Sequence, residues 1–180
     1  IRPSADFPYE LTDLPERLEE AAGEEAVVTV ENDANATAFY EFHQTAEPSR
    51  SILSLVFSHN PPSVGAGILI GGSLYRGVFG GAGEILPTGR TLSEDETEEL
   101  IQTAVRLLDP ATVVVAADGS VEEARRAMGR RGGLRELLGG RSINYVSNPE
   151  TALLGAAYQS YEAALSSRIY EELQKEGGSR

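Results

Sequence analysis

Val27-Val28-Thr29-Val30-Glu31-Asn32-Asp33-Ala34-Asn35-Ala36-Thr37-Ala38 holds the change of period that decides the fold. With Ala26 before them, the first four residues read as a strand whose only polar member is Thr29. That pattern suits a parallel strand buried on both faces. From Asp33 to about His43 the spacing of Ala34, Ala38, Phe39 and Phe42 is helical. An amide and a carboxylate, Asn32 and Asp33, thus stand where a strand stops and a helix starts. The ordinary use of such residues is to cap the helix. Their chemical use is different. A carboxylate stabilised by the backbone dipole can take a proton from a bound hydroxyl, while the amide bonds neighbouring hydroxyls.

Upstream, residues 14–22 predict a helix with Asp13 as its cap and Pro15 in its first turn, ended by Gly23. Downstream, residues 44–50 form a polar link containing Pro48, the best place for a lobe boundary. Residues 51–57, 64–70 and 73–76 predict strands, and Gly71-Gly72 supplies the backbone freedom of a hairpin turn. Ser93 with Glu96 is a capping box for a helix whose apolar face is Leu100, Ile101, Ala104, Leu107 and Leu108. Asp109-Pro110 stops it. A buried strand over 111–117, a helix over 121–128, a strand over 142–146 and an Ala-rich helix over 150–164 follow. The tail from Lys175 reads as polar and loose. Strands followed by helices, with one hairpin, predict an α/β fold with a mixed sheet and flanking helices.

Nine of the 19 glycines lie between Gly65 and Gly89, which marks that region for scrutiny. A hairpin and a wandering loop use glycine for backbone reasons alone. The functional alternative is close approach to phosphate by backbone N–H groups, with Gly65 and Gly67 as nucleotide-binding candidates. No helix follows directly, so this is neither a Walker loop nor a dinucleotide fingerprint. Glu84, after Gly80-Gly81-Ala82-Gly83, is a candidate acceptor for a polyol.

The 180 residues, 41% of them hydrophobic, suffice for one domain or two small lobes. Net charge is −13, so a duplex-binding surface is not expected. Arg125, Arg126, Arg130 and Arg131 read as a solvated helix face. The absence of cysteine removes disulfides, thiolate metal sites and cysteine nucleophiles, and it suits a reducing cytoplasm. His43 and His59 are isolated, so no metal site is expected. No apolar run approaches the roughly 20 residues that cross a bilayer. The first dozen residues read as an extended connection, as in a piece of something longer.

Residues 30–36, residues 65–77 and residues 80–85 together resemble the ROK family of bacterial sugar kinases and sugar-responsive repressors. Ala152-Leu153-Leu154-Gly155-Ala156-Ala157-Tyr158 looks like its C-terminal Gly-Ala-Ala helix, and residues 108–115 like its last helix-to-strand step. The resemblance implies an actin-like, ribonuclease-H-like ATPase fold of two lobes, with most of the N-terminal lobe lacking here. It implies a division into the end of that lobe with a crossover helix (1–48), a C-terminal ROK lobe (49–166) and a polar tail (167–180). Sugar would lie near Asn32, Asp33 and Glu84.

The departures shape the functional expectation. Where the family has Gly-His after Gly-Glu-Ile, Leu86 and Pro87 stand here, and the family's Cys-rich zinc loop is gone. The Gly-Thr-Gly expected at ATP phosphates is replaced by residues 60–64, and a late Gly-Gly by Ala117-Asp118. Phosphoryl transfer depends on positioning, so such losses should cost most of the rate. A sensor needs only differential ligand binding. The expectation is therefore the effector-binding portion of a ROK regulator, cytoplasmic and homodimeric, that takes a sugar or sugar phosphate. It needs no cofactor and no zinc, and meets DNA only through an upstream domain. The alternative is the C-terminal part of a glucokinase-like kinase, with Asp33 as base and with ATP and Mg as cofactors.

Overall fold

The computed structural model describes residues 14–23, 26, 28–44, 51–59, 62–85, 93–129 and 136–177. Helices α1 (Leu14–Ala22) and α2 (Asp33–Gln44) precede strands β1 (Ser51–His59), β2 (Pro62–Ile70) and β3 (Ser73–Leu74). Then come α3 (Glu94–Leu108), β4 (Thr112–Ala117), α4 (Val121–Gly129), β5 (Ser142–Ser147) and α5 (Asn148–Gly177). The strands form one mixed sheet in the order β3-β2-β1-β4-β5. β1 runs antiparallel to β2, with Ser54 opposite Gly67, and parallel to β4, with Ile52 opposite Thr112. β5 is parallel to β4.

The two-residue period of a strand sends alternate side chains to opposite faces, and both faces are apolar here. Leu53, Leu55, Phe57, Val113 and Val115 meet Ile101 and Val105 of α3 and Ala124 and Met128 of α4. Ile52, Leu69 and Val114 meet Ala38 and Phe39 of α2. α2 and the sheet therefore share one core across the division expected near residue 48, and residues 45–50 lie outside the described residues. α5 packs along α2 as an outer layer.

Two glycines set how closely α2 is held. A Cβ on Gly67 of β2 would stand 2.1 Å from the Ala34 carbonyl oxygen, and one on Gly155 of α5 would stand 1.8 Å from the Ala36 carbonyl oxygen. Ser54, fully buried on β1, donates to the Ala34 carbonyl and accepts from Gly67 N at 3.1 Å. Sheet and α5 thus both touch the backbone of the first turn and a half of α2.

Most expected elements form, and three differ. Ala26 and residues 28–30 are not in a strand. Their β-branched run has the propensity, but propensity needs a neighbour to pair with, and no described strand flanks them. β3 ends at Leu74: Tyr75 N still donates to the Ile68 carbonyl at 2.8 Å, but Arg76 turns away to Glu31. α5 continues to Gly177, well past Ala164 and through Lys175. Nothing in its Ala-, Glu- and Gln-containing sequence breaks a helix before that glycine. The Ser93–Glu96 capping box forms as expected, with Glu96 N donating to Ser93 Oγ at 3.2 Å and Ser93 N to Glu96 Oε2 at 2.9 Å. The Asp13 cap lies outside the described residues.

Gly155→Ala should therefore lower stability by about 1–3 kcal/mol through overpacking against the α2 backbone. Gly129→Ala meets nothing within 4 Å and should be neutral or stabilising by up to about 1 kcal/mol. Urea unfolding of the two variants checks the contrast.

Candidate functional site

The parallel strands β1, β4 and β5 end on one edge of the sheet, and polar residues collect there. This is where open α/β sheets place ligands. α2, α4 and α5 start at this edge, which brings three positive helix ends towards it. At α4, Glu123 N donates to Ser120 Oγ and Ser120 N to Glu123 Oε2, both at 3.3 Å.

Asn32 is the cap of α2. Its carbonyl accepts the first helical bond, from Ala36 N at 2.9 Å, and its Oδ1 accepts from Ala34 N at 2.8 Å and Asn35 N at 3.4 Å. Asp33 Oδ1 shares the Ala34 N–H at 2.8 Å. Its other oxygen, Oδ2, accepts from the side-chain amide of Asn148 at 3.0 Å. Both residues are nevertheless exposed. An ionised carboxylate has about four lone-pair positions, so each oxygen keeps acceptor capacity towards solvent. The capping use and the ligand use are therefore compatible.

Glu31, just before the cap, holds this corner in place. Its side chain is only 8% exposed. It accepts from Asn35 Nδ2 at 2.9 Å, from Asn32 N at 3.0 Å, and from Arg76 Nε at 2.9 Å and Nη2. The loop after β3 is thereby tied to the start of α2.

From Asn148 the polar edge continues along the strand ends. Ser147 Oγ donates to the Gly119 carbonyl at 3.0 Å, and Ser58 Oγ donates to Asp118 Oδ1 at 3.0 Å. Asp118 is thus an exposed carboxylate at the end of β4.

The remaining candidates sit elsewhere. Gly65 and Gly67 lie inside β2 and face α2, where the missing side chain of Gly67 is explained by the Ala34 carbonyl. Glu84 follows Gly83, whose φ of +91° and contact with the Ala66 carbonyl demand glycine. Glu84 lines a cavity of about 230 Å³ with Leu53, Ala66, Ile68, Ile85 and Leu108. Ala66 and Ile68 face α3, whereas Gly67 and Leu69 face α2. That cavity is apolar, and neither Asn32 nor Asp33 lines it. Among the described residues no group of three or more His, Cys, Asp or Glu side chains could hold a metal. His43 is stacked on Tyr158 at 5.0 Å, 3.2 Å from Glu162. Arg125 lies over the Tyr145 ring and Arg126 is 3.7 Å from Glu123, so both are spent on their own surroundings.

Asn148 and the Glu31–Arg76 pair are the residues that sequence reading misses. Asn148-Pro149, like Asn32-Asp33, is a pair headed by an asparagine that follows a β-branched or apolar run and opens a helix, and that repetition was the available signal. Glu31 and Arg76 are 45 positions apart and carry no local signature.

The ROK family profile matches residues 4–98, more than half of the chain. No curated protein matches. Among solved structures, a ROK hexokinase from Thermus thermophilus superposes with a TM-score of 0.58 at 23% identity, covering 85% of this chain and 70% of that one. A ROK glucokinase from Streptomyces griseus, in complex with glucose and AMPPNP, gives 0.57 at 18% identity, over 83% and 72%. An inorganic polyphosphate/ATP-glucomannokinase from Arthrobacter sp. strain KM gives 0.57 at 20%, over 91% and 68%. The mixed sheet with its flanking helices is therefore the actin-like ATPase fold. No described helix is long and apolar enough to cross a membrane.

Arg76→Ala should cost about 1 kcal/mol, because it leaves the Glu31 carboxylate short of its cation while Arg76 itself is half exposed and screened. A double-mutant cycle with Glu31→Gln should show the two changes to be less than additive in urea unfolding.

Proposed function

The chain belongs to the ROK family, and from that membership we propose that it is the sugar-binding, effector-sensing portion of a ROK transcriptional regulator. The observation that carries the reading is the exposed Asn32–Asp33 pair at the edge where the parallel strands end. Its capping bonds fix both side chains and leave outward lone pairs for vicinal hydroxyls of a sugar or sugar phosphate. Glu84 lines the separate apolar cavity on the α3 side, so the proposed sugar contacts at this corner are Asn32 and Asp33.

Asp118 favours sensing over phosphoryl transfer. In this family's pattern the end of the late strand meets ATP phosphates, and a carboxylate there repels a triphosphate. In the sensor reading, residues 1–48 are the end of the N-terminal lobe with a crossover helix, 49–166 the C-terminal ROK lobe and 167–180 a polar tail, and DNA contact belongs to other residues of the protein. A homodimer belongs to the same reading. The exposed Leu154, Tyr158, Tyr161, Leu165 and Ile169 recur at helical spacing along one side of α5 and offer it a surface.

A kinase is the second reading, and the kinase names of the structural neighbours favour it. Asp33 would then take the proton of the attacking hydroxyl, and ATP with Mg would supply the transferred group.

Calorimetric titration with hexoses and N-acetyl-hexosamines should give saturable heat, weakened about tenfold or more by Asp33→Asn, because a charged hydrogen bond is lost. Silence across the panel rejects the sugar reading. Turnover in a coupled ATP assay that Asp33→Asn abolishes would replace the sensor with the kinase.

A further inference from the structure

Asn148 is 6% exposed, on the boundary between β5 and α5, and its amide has two differently employed ends. Its Nδ2 donates to Asp33 Oδ2 at 3.0 Å, and its Oδ1 accepts from Thr37 Oγ1 at 3.3 Å. Thr151 Oγ1, 3.4 Å from Thr37 Oγ1, donates to the Ser147 carbonyl at 2.8 Å, which leaves the Thr37 proton for the amide. Thr37 is fully buried and Thr151 is 6% exposed, so this seam between α2 and α5 is closed to water. An ionised carboxylate only accepts, so the NH₂ end must face Asp33, and Thr37 holds the amide in that orientation.

We infer that Asn148 is a positioning residue for Asp33, setting the plane in which its carboxylate meets a ligand hydroxyl. The terminal torsion of an aspartate is broad and nearly two-fold. Ala34 N alone would hold one oxygen and leave the other free to swing. With Asn148 on the second oxygen, both inner lone pairs are taken and the outer ones point to solvent in a fixed plane. A ligand then meets a pre-ordered acceptor and does not pay to order it. The donor comes from the head of α5, so ligand held by Asp33 also bears on how α5 sits against α2.

The inference rests on the sugar-binding reading of Asp33, and its test separates the two. Calorimetry on the full chain, with glucose, mannose, N-acetylglucosamine and N-acetylmannosamine as probes, is run on the unaltered protein, Asn148→Ala, Asp33→Ala and the double variant. Asn148→Ala should weaken the best-bound sugar roughly tenfold. The double variant should bind no more weakly than Asp33→Ala alone, because Asn148 acts through Asp33. A residue that only supports the fold would lower the melting temperature and add its full effect on either background. Unchanged affinity in Asn148→Ala, or a fully additive loss, overturns the inference and leaves the sugar reading standing. No heat from the unaltered chain with any probe removes the reading and the inference together. If Asn148→Ala does not fold, the same cycle with Asn148→Ser decides in the same way.

Discussion

The close grip on the backbone of α2 is the constraint on which this structure depends. Side chains normally keep a helix about 8–10 Å from its neighbours. Gly67 on one side and Gly155 on the other remove that spacing, and each admits a carbonyl of α2 where a Cβ would have been. These carbonyls already accept the helical bond from four residues on, and each keeps a second lone pair. Ser54 donates to that second lone pair at Ala34. Small side chains at Ala34, Ala36 and Ala38, each no more than 2% exposed, let the helix lie flat. The placing of the Asn32–Asp33 corner follows from this grip, and the Glu31 and Asn148 bonds then fix its side chains.

Around that corner the polar groups are arranged as a chain. Arg76 and Glu31 hold the outer side, Asn148 and Thr37 the inner side, and Ser147, Gly119, Asp118 and Ser58 continue it along the strand ends. A network of this kind stabilises only when its members are satisfied. Asn148 meets the condition at both ends of its amide. Three helix starts give the edge a positive bias, and Asp33 and Asp118 partly cancel it. In the proposed reading that balance favours a neutral polyol over a highly charged phosphate chain.

The sheet was legible because its determinants are local. Continuous apolar runs gave β1 and β4, the Gly71-Gly72 pair gave the hairpin with φ of +63° and +84°, and the Ser93–Glu96 spacing gave the start of α3. The segment before α2 misled because a run of valines reports propensity and not the presence of a partner strand. Asn32 and Asp33 were legible as a corner, but which of them capped the helix was not. Glycines are ambiguous in a sequence for a physical reason: the same absent side chain serves a phosphate, a turn or a helix. Gly67 proved to serve α2, which only coordinates can show. Asn148 is 115 positions from Asp33, beyond the reach of any spacing argument.

The arrangement bears on how such a chain could have changed use. Catalysis of phosphoryl transfer needs nucleophile, base and phosphates held together to a fraction of an ångström, and in the proposed reading Asp118 after β4 works against that. Recognition asks less. It requires that one conformation bind a ligand better than another, by an amount equal to the shift it produces. A fixed acceptor on the first turn of α2, braced by the first residue of α5, meets that lesser demand. In the proposed reading a hydroxyl bound at Asp33 would bear on the seam between the two helices through Asn148, the first residue of α5, the longest helix described. Keeping the α2–α5 brace would thus be enough for the proposed sensing role, whatever precision the phosphate end holds.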